Sequence, residues 1–348
     1  MKIYKQKFGG MISGKCDPMS FKKLYPRTND LHFSHGRSGM IWLVNNSDFS
    51  SCLMCAYTWP AIPRLMKKLK LRINFYDLFD RKIEKKIENM NGRVLLIVPV
   101  FYGFKPWIEI TKITKKFGDK VFVLIDAAQT AYGHLDYKIP KNGAILSCPH
   151  KSLSTNDGAV LSFNQLNIKL IESYKKLQKE NKFTTIKSKT RRLLNSNDLK
   201  LENEGLSSSK KLEETWKSFP PKKMSSVSYK LFYEIDPKKH NENRKKSYKY
   251  LSRKLKNRFN IIKDLKLGVP FGYPVLTKNR DKIVRELNKE RIFATSLWKN
   301  NSFINKKYPN ALKYKKEFLA FPLDQRYKLN DLNEMVKKIS IVLKNIKL

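Results

Sequence analysis

The chain has 348 residues, of which 41% are hydrophobic, and its 72 Lys and Arg residues against 30 acidic residues give a formal net charge of +42. This length and composition predict a globular protein with a sizeable core. The sequence contains no run of about 18 apolar residues and no apolar region near its start, so we expect neither a membrane span nor a secretory signal. We therefore expect a cytoplasmic protein.

The large positive charge indicates an anionic partner, such as nucleic acid or a membrane surface. However, the basic residues are spread along the whole chain, and abundant Lys, Asn and Ile are also typical of an A/T-rich genome. The sequence has no helix-turn-helix, zinc-finger or RNP-like pattern. We do not expect specific nucleic-acid binding to be the main function, and charge-driven binding stays an alternative.

Four cysteines, Cys16, Cys52, Cys55 and Cys148, are few for this length and predict reduced thiols. Cys52 and Cys55 form a CxxC in an apolar stretch, without a second CxxC or a nearby histidine. We expect buried structural cysteines and no metal site.

The first half of the chain alternates between strand-like and helix-like segments. Apolar runs predict buried strands at residues 49–57, 93–101 and 121–130, and the intervening patterns predict helices within 33–46, at 80–92 as a solvated helix, and at 107–118. This alternation predicts βαβ units and a mainly parallel sheet.

The second half is more polar. Residues 165–218 are rich in Lys, Ser and Asn and predict helix or loop, with a flexible-looking stretch at 203–211. A basic helix at about 240–257, a strand at 268–277 and helices at 279–290 and 330–346 predict a smaller α+β domain. We expect a large domain over residues 1–238 and a small domain over 239–348.

The strand "VFVLIDAAQT" (121–130) ends in a carboxylate, Asp126. Ligands of parallel α/β sheets bind beyond the carboxyl ends of the strands, and Asp126 lies at such an end. A buried carboxylate needs a partner, so Asp126 taken alone predicts a helix cap or a structural salt bridge.

A lysine, Lys151, lies in "SCPHKSLSTNDGAVLSF" (147–163), between a strand-like run and a polar turn. Lys151 and the upstream Asp126 together are what pyridoxal phosphate requires. Its aldehyde bonds to a lysine amine, and its ring nitrogen needs a carboxylate to remain protonated. This pair therefore predicts a cofactor-dependent enzyme.

Ordered segments along nearly the whole chain resemble the DegT/DnrJ/StrS family of sugar aminotransferases. The segments that carry the resemblance are "FSHGRSGMIWLV", "CAYTWPAI", "VPVFYGF", "IDAAQTAYG", "HKSLSTNDGAV", "GYPVLTKNRDKIVRELNKERIFATSLW" and "LAFPLDQRY". The resemblance implies an α/β, fold-type I pyridoxal phosphate-dependent transferase with a mainly parallel central sheet and a smaller C-terminal α+β domain.

The resemblance also implies roles for individual residues. Lys151 would bond to the cofactor's aldehyde and, once released, shuttle the proton in the reaction. Asp126 would pair with the ring nitrogen, and Gln129 would lie beside the ring near its phenolic oxygen. Trp59 matches an aromatic residue that stacks on the ring, although a core position is an equal alternative.

Three further residues match positions that hold the cofactor's phosphate. Arg37 and Ser38 lie at a helix start, where free N–H groups favour an anion, although "SHGRSG" alone would be a capping turn. Ser147 is another candidate, but it precedes the lysine by four residues where many relatives have five.

The chain departs from the family pattern at two places. Gly158-Ala159 stands where the family usually has Gly-Gly, and the extra methyl group would either narrow the site or reflect different packing. His150 is not general to the family; it would either pack locally or touch the phosphate, and we expect local packing. A branch with histidine in place of the lysine performs dehydration, and Lys151 argues against that chemistry here.

The implied function is transfer of an amino group, from glutamate, to a keto group on a nucleotide-linked sugar, for surface polysaccharide or a related glycan. Members of the family are usually homodimers. The alternatives are a catalytically inactive pyridoxal phosphate-fold protein that binds or regulates, and a charge-driven nucleic-acid-binding protein.

Overall fold

The computed structural model describes residues 7–9, 27–180, 182–194, 196, 198–215, 220–261, 266–323 and 325–346. Across these ranges, no helix is both long enough and apolar enough to cross a membrane. Cys52, Cys55 and Cys148 are free and buried, as predicted, and Cys16 lies outside the described residues.

A seven-stranded sheet forms the centre of the first half of the chain. Its strands are β1 (Asp30–Phe33), β2 (Phe49–Cys55), β3 (Arg72–Tyr76), β4 (Arg93–Pro99), β5 (Val121–Ala127), β6 (Gly143–Ser147) and β7 (Ala159–Phe163). They lie in the order β1-β7-β6-β5-β4-β2-β3. β3, β2, β4, β5 and β6 pair in parallel, whereas β7 is antiparallel to both β1 and β6. The predicted mainly parallel α/β sheet is therefore confirmed.

The strands are apolar because both faces of the sheet are covered. Successive side chains enter opposite core clusters: Leu96 and Val123 belong to one cluster, and Ile97 and Leu124 to the other. The same alternation places Asp126 on the face of Leu124, which is the face that carries helix α1 (Gly36–Asn45).

Four more helices follow α1 in the first half. They are α2 (Ala61–Lys68), α3 (Glu84–Glu88), α4 (Ile110–Phe117) and α5 (Gly133–Asp136). α4 ends at Phe117, and Gly118 with φ +49° is its C-cap, which agrees with the end of the helix predicted at 107–118. The helix predicted at 80–92 is much shorter, and one side of this segment is not solvated, because Ile83, Ile87 and Met90 are buried in the core.

Three helices follow β7: α6 (Ile168–Lys175), α7 (Lys182–Leu194) and α8 (Leu199–Thr215). The prediction of a flexible stretch at 203–211 is wrong, because these residues lie inside α8. Gly205 lies in this helix because the space beside it is small: a Cβ there would come within 2.8 Å of the Leu194 backbone nitrogen. The glycine permits close packing of α8 against α7 instead of marking a loop.

After α8 comes α9 (Ser226–Glu234), whose Phe232 and Tyr233 pack against Tyr132 and Val160 of the first half. The elements that follow are α10 (Pro237–Leu255), β8 (Asn260–Ile261), β9 (Gly272–Leu276), α11 (Arg280–Lys289), α12 (Pro309–Glu317), β10 (Phe318–Pro322) and α13 (Leu329–Asn345). The three strands form an antiparallel sheet in the order β10-β9-β8. Leu276 and Phe318 pack into the same core cluster as Leu96 of the central sheet.

Candidate active site

The carboxyl ends of β5 and β6 bring the predicted acid and lysine to one edge of the sheet. Asp126 pairs in register with Leu146, and Ala127 with Ser147, the last residue of β6. A 3-10 turn, Pro149–Lys151, follows β6 after one intervening residue, Cys148. The Cys148 N–H donates to the Thr130 carbonyl (3.1 Å) and links the segments that follow the two strands.

A cavity of about 450 Å³ lies at this edge, and we call it the central cavity. Asp126, Gln129, Trp59, Arg37 and Lys151 all line it. Lys151 is the last residue of the 3-10 turn, and it is exposed and lines the cavity. Five of the seven residues predicted for the site are therefore brought together, although they come from four separate parts of the sequence.

Asp126 is held in an environment that disfavours its charge. Burial raises the pKa of its carboxyl group above the usual value, and the Lys151 ammonium and the Ala128 N–H partly oppose this shift. The Ala128 N–H donates to Asp126 Oδ1 at 3.1 Å. A cation placed beside this carboxylate would favour its ionised form.

The orientation of the Gln129 amide is fixed by one hydrogen bond. Its Oε1 accepts from the Tyr102 N–H at 2.7 Å. Because a backbone N–H can pair only with the oxygen end, the NH₂ end of Gln129 is the donor that remains for other partners. Tyr102 adopts φ +51°, a backbone conformation uncommon for a non-glycine residue.

Arg37 and Trp59 form one wall of the cavity. The Arg37 guanidinium carbon lies 5.1 Å from the centre of the Trp59 ring, which is a cation–π distance. Trp59 is 38% exposed, so the structure does not place it in the core. It lies directly before α2, whereas Arg37 lies in the first turn of α1.

Ser38 is buried beside the cavity and is not among the residues that line it. Its N–H donates to His35 Nδ1 (2.9 Å), because His35 is the N-cap of α1. Its hydroxyl forms a hydrogen bond with Ser34 Oγ (3.1 Å) and accepts another from the Lys222 N–H (3.3 Å). The groups of Ser38 predicted to bind phosphate are thus engaged within the protein.

His35 is neutral in this position. Burial lowers the pKa of its imidazole to about 3, and the nearby Arg37 and Lys187 charges contribute. Since Nδ1 accepts from Ser38, the ring carries its proton on Nε2. His35 also lines the central cavity.

Ser147 is also buried outside the cavity lining, and its hydroxyl has no hydrogen-bond partner among the described residues. His150 lines the cavity, and its Nδ1 is bonded to the Gly158 carbonyl at 2.7 Å, which agrees with the predicted local packing. Ala159 is buried in the core cluster below α1 and does not line the cavity. Its methyl group therefore reflects packing and does not narrow the site.

Two basic residues of the cavity were missed from the sequence. Lys187 and Arg191 lie one turn apart on α7, both are 4% exposed, and both line the cavity. Phe271, Leu297 and Trp298 from the second half of the chain complete the apolar wall. In a chain with 72 basic residues, no sequence signal separates Lys187 and Arg191 from the others.

The donor set fits pyridoxal phosphate. An accessible lysine, a carboxylate, an amide donor, an aromatic ring and several cations line a single cavity whose volume lies within the usual range for ligand sites. A metal does not fit in the same way, since no three His, Cys, Asp or Glu side chains of the described residues lie close enough to bind one.

The sequence matches no protein-family model and no curated protein. Solved structures are nevertheless similar. The Streptococcus pneumoniae sugar aminotransferase Spr1654 in its pyridoxal phosphate form has a TM-score of 0.66 at 11% identity, with 99% of this chain and 100% of that chain covered. Helicobacter pylori PseC, an aminotransferase of pseudoaminic acid biosynthesis, has a TM-score of 0.60 at 15% identity, with 91% and 87% covered.

A DegT/DnrJ/EryC1/StrS aminotransferase from Brucella abortus has a TM-score of 0.57 at 12% identity, with 89% of this chain and 85% of that chain covered. At such low sequence identity, the structural similarity shows the fold alone, and the reaction depends on the residues of the site. The chain has the fold of the pyridoxal phosphate-dependent sugar aminotransferases.

Proposed function

We propose that this protein is a pyridoxal phosphate-dependent aminotransferase. It would move an amino group, from glutamate, to the keto group of a nucleotide-linked sugar that is destined for surface polysaccharide or a related glycan. One observation carries the proposal: Asp126 and Lys151, at the ends of neighbouring parallel strands, line the same cavity in a fold shared with sugar aminotransferases.

Bound pyridoxal phosphate supplies an aldehyde for amine exchange and a protonated ring that accepts electrons. Asp126 would hold the proton on the ring nitrogen, since its buried carboxylate is most stable beside a cation. The NH₂ group of Gln129 would donate to the ring's phenolic oxygen, because its oxygen is bonded to Tyr102.

Lys151 would hold the cofactor covalently in the resting enzyme. Once an amino donor replaces it, its free amine would move the proton between the substrate carbon and the cofactor's aldehyde-derived carbon. The turn that carries Lys151 begins one residue after β6, which keeps the amine close enough to Asp126 for the two charges to interact.

Trp59 would cover one face of the ring, and Arg37 would contribute charge at the phosphate. Ser38 and Ser147 stay proposals as phosphate ligands. For either to bind phosphate, its side chain or the adjacent backbone must rearrange, because the hydrogen bonds of Ser38 are used and Ser147 lies behind the cavity wall.

The proposed substrates follow from the cavity's charge and from its structural neighbours. Glutamate and a sugar diphosphate are both anionic, and the cavity contains several cations. Spr1654 is a sugar aminotransferase and PseC is an aminotransferase of pseudoaminic acid biosynthesis, and this supports a keto sugar as the acceptor.

We also propose a cytoplasmic homodimer with a large domain at 1–238 and a small domain at 239–348. The three buried free thiols support a reducing compartment. The separate sheets, at residues 30–163 and 260–322, support two domains. Light scattering on the purified protein would give twice the monomer mass for a dimer.

The experiment is a cofactor titration of the purified wild type and of Lys151→Ala. The wild type should develop the yellow absorbance band of the lysine-linked cofactor, and glutamate should bleach it to the pyridoxamine form. Lys151→Ala should lack the borohydride-reducible link. A band that glutamate fails to bleach would favour the inactive binding protein, and an unchanged link in Lys151→Ala would exclude the assigned lysine.

A further inference from the structure

Two pieces of backbone set the positions of Lys151 and Gln129 in the central cavity. Lys151 ends the 3-10 turn after β6, and the buried Ser152 follows it directly. The Gln129 amide is oriented by the Tyr102 N–H. Both pieces belong to the first half of the chain, and both are also hydrogen-bonded to residues of the second half.

The loop around Tyr102 is held by the segment that precedes β9. The Phe271 N–H donates to the Tyr102 carbonyl at 3.1 Å. Tyr102 and Gly103 both have positive φ, +51° and +87°, and a Cβ on Gly103 would overlap the Val269 carbonyl. A non-glycine residue keeps such a conformation only where its surroundings fix it. The Tyr102 N–H, and with it Gln129, therefore follows the position of residues 269–271.

The turn that carries Lys151 is held by a glutamine from the other side. Gln325 lies between β10 and α13, it is buried, and its Nε2 donates to the Ser152 carbonyl at 2.8 Å. Its Oε1 accepts from Arg244 Nη1 at 3.0 Å. A carbonyl can only accept and a guanidinium can only donate, so these two partners determine the orientation of the Gln325 amide.

Arg244 connects the two pieces. It lies on α10, is buried, and uses all three of its nitrogens as donors. Nε donates to the Pro270 carbonyl (2.8 Å), Nη2 donates to the Phe271 carbonyl (2.6 Å), and Nη1 donates to Gln325. Because the guanidinium is planar and rigid, it fixes these partners relative to one another. The segment that holds Tyr102 and the glutamine that holds the turn thus share one anchor.

We propose that Arg244 is a positioning residue of the active site, which keeps the Lys151 turn and the Gln129 amide in one arrangement. Neither Arg244 nor Gln325 is among the described residues that line the central cavity, so each acts through the groups that it binds. The link itself rests on the hydrogen bonds, and its service to amino transfer rests on the proposed function.

The first test measures the link in the cofactor-free protein and compares Arg244→Gln with Arg280→Gln. Arg280 is also buried in the second half, but it bonds to Asp281 and to the Lys315 carbonyl, and neither of these residues lines the cavity. In hydrogen-exchange mass spectrometry, Arg244→Gln should speed exchange about 10- to 100-fold in peptides that cover residues 101–104 and 150–153, as expected for loss of a buried charge-assisted hydrogen bond. Arg280→Gln should leave both peptides at wild-type rates.

The second test separates the branch to the turn and measures its effect on the reaction. In Gln325→Glu, a carboxylate oxygen still accepts from Arg244, but the ionised side chain has no donor for the Ser152 carbonyl. Rapid mixing of the cofactor-loaded proteins with glutamate gives the maximal rate of bleaching and the half-saturating glutamate concentration.

The maximal rate should fall about 10- to 100-fold in Arg244→Gln and about 2- to 10-fold in Gln325→Glu, because misplaced reacting groups slow the chemical step. The half-saturating concentration should stay at the wild-type value, because neither side chain lines the cavity among the described residues. Arg280→Gln should match the wild type in both quantities.

Wild-type exchange in both peptides of Arg244→Gln, or an equal increase in Arg280→Gln, would overturn the link. Wild-type maximal rates in Arg244→Gln and Gln325→Glu would overturn the positioning role, and so would weaker glutamate binding at an unchanged maximal rate. If glutamate does not bleach the wild type, the proposed function fails, and the exchange comparison decides the link by itself. If Arg244→Gln does not fold, Gln325→Glu decides: faster exchange at 150–153 supports the link, and wild-type exchange there refutes it.

Discussion

Replacing Asp126 with asparagine should raise stability and lower activity at the same time. Asparagine keeps the shape and can still accept from the Ala128 N–H. Burial raises the pKa of Asp126 above its usual value of 3.8. The contribution of this carboxyl group to stability is therefore complete below pH 3.8 and is lost as the pH rises through the folded-state pKa. At pH 7, cofactor-free Asp126→Asn should melt at or above the wild-type temperature.

The effect on activity has the opposite sign because Asp126 would face a cation in the loaded enzyme. Removing one partner of a buried charge pair costs about 3–5 kcal/mol, which corresponds to about a 10²- to 10⁴-fold lower rate. Asp126 is the one carboxylate among the described lining residues, so no other described acid of the cavity can replace it.

Stopped-flow measurement of cofactor bleaching by glutamate gives the rate, and scanning calorimetry of the cofactor-free protein gives the stability. Asp126→Glu keeps the charge and serves as the matched control, and it should lose less activity than Asp126→Asn. A wild-type rate in Asp126→Asn would refute the pairing with the ring nitrogen. A melting temperature well below that of the wild type would refute the claim that burial disfavours this charge.

Three further substitutions test other contacts of the site and the fold. Arg191→Gln should lower the free energy of unfolding by about 3–5 kcal/mol, measured by urea denaturation, because it leaves buried carbonyls without their charged donor. His35→Asn keeps an N-cap residue but removes the titrating imidazole. Folding lowers the pKa of His35 from 6.5 to about 3, so the wild type should lose stability relative to this variant as the pH falls from 6.5 to about 3. Gly205→Ala should destabilise by about 1–2 kcal/mol, since overpacking against Leu194 outweighs the gain in helix propensity.

Each of these predictions has an outcome that contradicts it. Wild-type stability of Arg191→Gln would mean that α7 is held elsewhere. A parallel pH dependence of His35→Asn and the wild type would mean that His35 is not buried as a neutral ring. Exposed Ser207 of α8 provides the control for Gly205, and Ser207→Ala should change stability by less than about 0.5 kcal/mol. A more stable Gly205→Ala would show that α7 and α8 are not in close contact.

The inner strands of the central sheet were predictable because burial on both faces requires continuous apolar runs. β2, β4 and β5 are such runs, and their neighbours in the sheet follow from the alternation with helices. β1 and β3 were missed, because β1 has only four residues and β3 is a partly exposed edge strand with a mixed pattern. Short or edge strands carry too little periodicity to be recognised.

The acid and the lysine of the site were predictable because strand ends place them at a common edge. Lys187 and Arg191 were not, because the position of α7 over this edge depends on contacts distant in sequence, such as those from Arg191 to the turn at 150–154. The sequence predicted a capping turn at "SHGRSG", but it did not predict that His35 would accept the hydrogen bond from the Ser38 N–H. The residue types predict the chemistry, whereas tertiary contacts determine which cations line the cavity.

The most direct test of the central claim is identification of the lysine that bonds to the cofactor. The wild-type protein is loaded with pyridoxal phosphate, reduced with borohydride, digested and sequenced by mass spectrometry. We predict a single modified residue, Lys151, on the turn after β6. Modification of Lys187 instead, or of scattered surface lysines without a preferred site, would contradict the account.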